Sequence, residues 1–407
     1  MTRRRPWYAP LIQVRLRTPG KVAVATLFLA FLMFSIDSQV ISPLFPDFAR
    51  RYGVGLGRIV WITGVFQLSL LLAPVFGPLS DRVGRKPVLL LGLVILALSA
   101  QLCATAPHFT ALLLGRLAAG LGFALFMPAL NGYIADCFSY RRRGTAMGVV
   151  RAAWSISGIL GIPAAALIVE AAGLSLLFST ICLLTVAIAF VTALSLPPMG
   201  STLRDGRARD GRGHKELVLG RYRPISPRTA VIRAFLGSVF WIAAPSSSFF
   251  YLAAWLRTGH GFTTTMVGMV FAVASATALA GTVVGGSISD RLGKSLLAKV
   301  WLLVLAASLA GQALAPTLAS ALICLVVMAF AWEAGLVAFM TLATELAPAK
   351  RGTVLSLISC AHGVGSIAFS LLGPMLWAMG GYSLATMAGA AAALMAALLL
   401  WPVGRGL

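Results

Sequence analysis

Residues 77–86 read GPLSDRVGRK, and residues 286–295 read GSISDRLGKS, 209 positions further on. Gly77, Ser80, Asp81, Arg82 and Gly84 correspond at that constant offset to Gly286, Ser289, Asp290, Arg291 and Gly293, with Arg85 answered by Lys294. One basic tripeptide could arise by chance; a shared register of this length points to two copies of one unit. Each copy joins two long apolar runs. A short turn between antiparallel membrane helices has this chemistry, because glycine relieves the tight backbone and the cations stay on the cytoplasmic side.

The composition agrees. Of 407 residues 59% are hydrophobic and 11% charged, and the mean hydropathy is +0.92. A soluble domain has to coat itself in polar groups and does not reach such values. The formal charge of +22 raises nucleic acid as a partner, so the placement of the cations has to decide. They fall in alternate loops: 26 of the 33 lie on one side, four on the other (Arg50, Arg51, Arg58, Arg257) and three within or beside helices (Arg116, Arg151, Arg233). The bias puts both termini in the cytoplasm and leaves no role for nucleic acid, and a bacterial-type inner membrane is the location expected. No removable leader is expected, because MTRRR precedes an ordinary first span with no small-residue cleavage site after it. Cys103, Cys137, Cys182, Cys324 and Cys360 are scattered singly along apolar helices, without metal or disulfide spacing. They read as reduced packing residues, and neither metal nor cofactor is expected.

A bilayer core of about 30 Å takes roughly 20 apolar residues per helix. Twelve such runs are present, at 22–46, 58–80, 86–105, 109–135, 144–170, 174–196, 229–256, 264–288, 296–314, 318–345, 351–378 and 382–403. They are called the first to the twelfth span below. The one long polar segment, 197–228, is rich in Arg, Gly and Asp and bracketed by prolines, so the organisation is a six-helix bundle at 1–196, a cytoplasmic linker at 197–228 and a second six-helix bundle at 229–407. The linker's cations could instead meet anionic headgroups of the bilayer.

A second repeat supports the first. The fourth span ends IADCFSYRRRGTAMG and the tenth LATELAPAKRGTVLS, so Asp136 and Arg143-Gly144 match Glu345 and Arg351-Gly352 with a one-residue slip. Together with the turn motif, this acid-then-Arg-Gly ending resembles the major facilitator superfamily, whose signature between its second and third helices runs G-x-L-[ad]-D-R-x-G-R-[RK]. The resemblance covers the whole chain. It implies an all-α membrane protein with 12 transmembrane helices in two pseudo-symmetric six-helix bundles, usually a monomer, with a small-molecule site between the halves.

Helix breakers are frequent. Pro43 and Pro46 are expected to end the first span, Pro74 and Pro78 lie in the second, and Pro128, Pro163, Pro245 and Pro374 interrupt four others. Gly115, Gly120 and Gly122, and the GxxxG pair Gly281 and Gly285, would let neighbouring backbones approach.

Ionisable groups inside hydrocarbon are costly and are functional candidates. Here they are Asp37, Arg116, Arg151 and Glu333, with His362 as a weaker titratable group. At 1.5 Å per residue, Asp37 lies about 13 Å from Pro46 and Arg116 about 10 Å from Phe109, so the two share a level. The resemblance puts the first and fourth helices on the cavity of the N-terminal half, which predicts that Asp37 and Arg116 pair at rest. LLLGRLAAGLGFAL also resembles the fourth-helix motif of proton-coupled exporters, R-x-x-q-G-x-G, with looser spacing and no glutamine. Burial and a neighbouring arginine act in opposite senses on a carboxylate's proton affinity, so protonation of Asp37 could release Arg116. A permanent bridge that only fixes helix packing is the structural alternative. Glu333 lies about 18 Å from Glu345, near the midplane, with no cation of its own half at that depth. It would bind protons, a cation from elsewhere such as Arg151, or a cationic substrate, or orient a buried polar network. His362 reads as a hydrogen-bonded cavity histidine.

Large aromatics accompany these charges: Trp61, Trp154, Trp241, Phe249 and Trp332, some of which would line a substrate cavity with Gln67, Asn131 and Arg151. Such a pocket with an acid suits amphipathic cations.

The resemblance also implies a gate. The motif aspartate of one half caps a helix of the other, so Asp81 would meet the start of the eleventh span and Asp290 that of the fifth, with Arg85 bridged to Asp136. Gly77, Arg82, Gly84, Lys86 and Arg291 complete the two turns. The activity implied is proton-coupled export of small amphipathic or apolar molecules, as in the twelve-helix drug:proton antiporter branch, and not catalysis. One departure is GILGIPAAA at 158–166, a reduced form of the antiporter motif G-x-x-x-G-P-x-x-G-G, which leaves symport open. A Spinster-like lipid carrier is the other alternative, on SIDSQVISPLFPDF in the first span.

Overall fold

The computed structural model describes residues 20–138, 140–197, 228–346 and 351–403, and all regular structure among them is helical. Nine segments there are long and apolar enough to cross a membrane. Two of them, Ala146–Ser195 and Cys360–Leu400, are each divided by glycines off helical geometry, Gly173 in one and Gly380 and Gly381 in the other. The second span adds the last, carried by Leu56–Ile59, Trp61–Leu70 and Ala73–Val83, which makes twelve.

The two halves repeat in detail. Arg85–Thr105 and Lys294–Leu314 are both 21 residues long and start 209 residues apart; Phe109–Cys137 and Leu318–Leu346 are both 29 residues long with the same offset. Positive-φ glycines follow the same symmetry. Gly53 and Gly261 close the first and seventh spans, Gly84 and Gly293 form the second-to-third and eighth-to-ninth turns, and Gly173 and Gly381 divide the fifth from the sixth and the eleventh from the twelfth. A side chain is strained at such angles, so glycine fixes the turns where the sequence repeats them.

Three expectations about breakers change. Pro43 and Pro46 do not end the first membrane crossing. Gly20–Gln39 passes through a 3₁₀ turn, Ser42–Leu44, into a further helix, Phe45–Tyr52, with a proline in the first turn of each of the last two, where its missing N–H has no partner to lose. Pro163 likewise begins a helix, after a π-helical turn at Ser157–Gly161. The second span is three pieces, with Pro74 opening Ala73–Val83. Pro128, Pro245 and Pro374 do lie inside helices.

Small residues set the close approaches. A methyl on Gly281 would strike the Phe330 carbonyl oxygen, and one on Gly285 would stand 2.6 Å from that of Ala334, so the GxxxG pair packs the eighth span onto the tenth. Gly120 meets the Phe66 carbonyl oxygen in the same way, bringing the fourth span onto the second. The second half is further tied by a buried polar node in which Ser248 Oγ donates to Gln312 Oε1 at 2.8 Å and Tyr382 Oη to the same oxygen at 2.7 Å.

The buried apolar residues form two clusters. One belongs to the first half, around Phe34, Leu93, Phe126 and Val150. The other runs through the second half and continues into the first half at the end opposite the signature turns, where Val40, Phe45, Phe48 and Phe178 join it. Across the interface the second span touches the eleventh and the fifth touches the eighth.

Candidate functional site

Arg116 Nη1 donates to Asp37 Oδ2 at 2.8 Å, with side chains 2% and 1% exposed. Its guanidinium carbon also lies 5.1 Å from the centre of the Phe66 ring. The arrangement follows from backbone packing. Gly120 lets the second span close on the fourth, Ser69 Oγ donates to the Leu117 carbonyl at 3.0 Å, and Phe66 thereby covers Arg116. Two opposite charges in a dry site hold each other and the ring face adds a further attraction for the cation. At offset 209 the counterparts of Asp37 and Arg116 are Ser246 and Leu325, so the pair belongs to the first half alone.

Glu333 is half-buried on the tenth span and its Oε2 accepts from Thr282 Oγ1 at 3.3 Å. Its neighbour Trp332 lies 6.0 Å from Phe249, which lies 5.8 Å from Phe271. Among the described residues no ion pair joins Glu333 to Arg151. Arg151 is exposed, on the stripe of the fifth span that carries Trp154 and Gly158. Trp154 stacks on Phe31 at 6.5 Å, and Gln39 Nε2 donates to its carbonyl at 2.7 Å. Gly158 leaves so little room that a methyl there would strike Ser275 of the eighth span, so the fifth span meets the other half at this level.

Other residues expected at the chamber divide. Gln67 Nε2 donates to Ser366 Oγ at 3.0 Å, linking the second and eleventh spans. Asn131 and His362 are half-buried, with Oδ1 and Nε2 respectively making no hydrogen bond to described residues. Trp241, expected in the chamber, is instead 0% exposed, stacked on Phe339 at 5.2 Å with its ring edge against Gly335. It is core packing: position along a helix fixes which residues share a face with Trp241, but not which neighbouring helix that face meets. Trp61 is 39% exposed.

At the signature turns, Arg85 Nε donates to Asp136 Oδ2 at 3.2 Å and Nη1 to Ser80 Oγ at 3.2 Å. Lys86 Nζ donates to the Ala193 carbonyl at 2.6 Å, near the C-terminal end of the sixth span, where a cation is favoured. Arg82 is exposed and Gly84 has φ 109°. The expected contacts of Asp81, Asp290 and Arg291, and the surroundings of Gly77, lie outside the described residues, as does the expected linker beyond residue 197.

The sequence did not single out the opposite end. There Asp47 accepts from Arg257 Nη1 at 2.6 Å and from Arg50 Nη2 at 2.8 Å. That Asp47 immediately follows Pro46, in the first turn of a helix, was the available signal.

Residues 27–370 match the model of the Major Facilitator Superfamily. The chain belongs to that superfamily. It is therefore a multi-pass membrane protein of a family that carries small molecules across membranes. Among relatives, the MFS-type transporter YceJ of Bacillus subtilis (strain 168) is 26% identical over 269 residues, 65% of this chain and 66% of YceJ. From the same organism, the methylenomycin A resistance protein is 32% identical over 41% of this chain and 36% of its own length, and multidrug resistance protein 2 is 31% identical over 34% of each. The chain thus matches about two thirds or less of these relatives. Solved structures show the fold over nearly the full length. A bacterial homologue of the human lysosomal transporter Spinster, inward-facing and occupied, has TM-score 0.78 at 18% identity over 95% of this chain and 97% of that one. A D-xylose-proton symporter has TM-score 0.77 at 17% identity over 94% and 98%.

Proposed function

We propose that this transporter is a proton-coupled exporter of small amphipathic molecules, with both termini in the cytoplasm of the inner membrane, working as a monomer of two bundles (1–196 and 229–407) joined by a linker at 197–228. The observation that carries it is the Asp37–Arg116 pair, a charge pair sealed in the first half. Each charge is tolerated there only because of the other, so adding a proton to Asp37 removes the arginine's partner and changes which arrangement of the helices is favoured. The bridge is then a coupling element rather than a mere tie. Glu333, beside Phe249, Phe271 and Trp332, supplies the acid and the ring faces that an amphipathic cation would use. Arg85 and Asp136 belong to the cytoplasmic gate, with Asp81, Arg82, Lys86, Asp290 and Arg291. Resistance proteins among the relatives support efflux as the direction.

Proteoliposomes test the direction. With protein inserted in the cellular orientation, an outside-acid gradient is expected to drive ethidium out of the vesicles. Gradient-driven entry would assign symport instead, and flux that ignores the gradient would remove proton coupling.

A further inference from the structure

At the end of the molecule opposite the signature turns, two polar contacts join the halves. The first is Asp47 with Arg257. Asp47 stands in the first turn of Phe45–Tyr52, where the helix dipole favours a carboxylate, and its side chain is 3% exposed. Of its two arginines, Arg50 lies on the same helix and is 73% exposed, whereas Arg257 reaches across from the seventh span and is 17% exposed. The bond within the half is screened by solvent; the bond between the halves is largely shielded.

The second contact is Glu170 with Thr265. Glu170 Oε2, at the end of the fifth span, accepts from the Thr265 backbone N–H at 3.0 Å and also from its hydroxyl. Thr265 lies in the first turn of the eighth span, whose free N–H groups lack helical partners. A carboxylate of one half thus caps a helix of the other.

Between these contacts the surface is dry. Phe45 packs on Phe250 at 6.2 Å, and Gly268 lies so close to Pro163 and Ala166 that a methyl there would stand 2.9 Å from the Ala166 side chain. The shared apolar cluster continues across the halves at this end. Any motion that opens the chamber here has to break both polar contacts and wet this surface.

We propose that Arg257, with Asp47, Glu170 and Thr265, forms the latch of the extracytoplasmic mouth, and that Arg257 is a positioning residue whose bond to Asp47 sets the balance between the two access states. Breaking it shifts the population toward the state open at that end, because only the closed state contains the bond.

Hydrogen–deuterium exchange on the full chain in lipid nanodiscs reads this without a substrate and without a proton gradient, so its outcome is independent of the coupling proposed above. Arg257→Gln is expected to speed exchange about tenfold or more in segments 45–59 and 256–268, as loss of a shielded charged hydrogen bond allows. Exchange beside the signature turns, at 80–90 and 290–300, is expected to slow as that end closes. Arg257→Lys is expected to restore much of the wild-type pattern, and Arg50→Gln, which removes the other arginine on the same carboxylate, to leave it unchanged. Unaltered exchange at the latch in Arg257→Gln, equal acceleration at both ends, or an Arg50→Gln pattern matching Arg257→Gln would each overturn the proposal.

Discussion

Replacing Asp37 with Asn and Arg116 with Met, singly and together, separates the energetic and functional roles of the buried pair. Arg116→Met leaves a carboxylate that is 1% exposed without its cation. Removing one partner of such a pair costs about 3–5 kcal/mol. Asp37→Asn leaves the cation, but the amide oxygen can still accept from Nη1 and the Phe66 face at 5.1 Å remains. A desolvated cation–π contact is worth about 2 kcal/mol, so the expected loss falls to about 1–3 kcal/mol. The double variant strands neither charge but leaves a buried amide without its partner, so its expected loss is about 1–3 kcal/mol, less than that of Arg116→Met alone. Unfolding in detergent, followed by intrinsic tryptophan fluorescence, measures the cycle, and gradient-driven ethidium efflux is measured in parallel. Stability should return in part in the double variant while gradient dependence does not. Single losses that add within about 0.5 kcal/mol would show that the charges are not coupled. A stable double variant with normal gradient dependence would confine the pair to helix packing.

Further expectations concern the rest of the molecule. Glu333→Gln, which keeps the hydrogen bond from Thr282, should leave unfolding unchanged and weaken ethidium binding by about tenfold or more while sparing neutral amphipathic compounds, as isothermal titration would show. Trp241→Ala should cost about 3–5 kcal/mol of stability, because the ring is wholly buried, with little change in ligand affinity for the folded fraction. Gly281→Ala should destabilise by about 1–3 kcal/mol, since its methyl meets backbone that cannot retreat. Gly148→Ala, which meets nothing within 4 Å, should be neutral or stabilising in the same unfolding assay.

Much of the fold was legible because it is written twice. The 209-residue offset between GPLSDRVGRK and GSISDRLGKS reappears as equal lengths of the third and ninth helices and of the fourth and tenth. Depth was legible too, since the constant rise of a helix converts sequence position into height, which is how Asp37 and Arg116 could be placed at one level. Azimuth was not. Trp241 and Trp332 are both large aromatics in the second half, yet one is core and the other stands half-buried near Phe249, and only the packing of neighbouring helices decides which. The Asp47–Arg257 contact was hidden for a related reason. Its partners are 210 residues apart, at helix ends where charges are ordinary, and Pro46 looked like the end of a helix rather than the start of another.

Proton release on ligand binding tests the central claim most directly. Purified protein in weakly buffered detergent, first brought to acid pH so that Asp37 carries its proton, then mixed with ethidium and followed by a pH-indicator dye, is expected to release protons as the Asp37–Arg116 bridge re-forms, and the Asp37→Asn protein to bind ethidium without that release. Undiminished release from Asp37→Asn, or binding to wild type with no release at any pH between 5 and 9, would contradict coupling through this carboxylate.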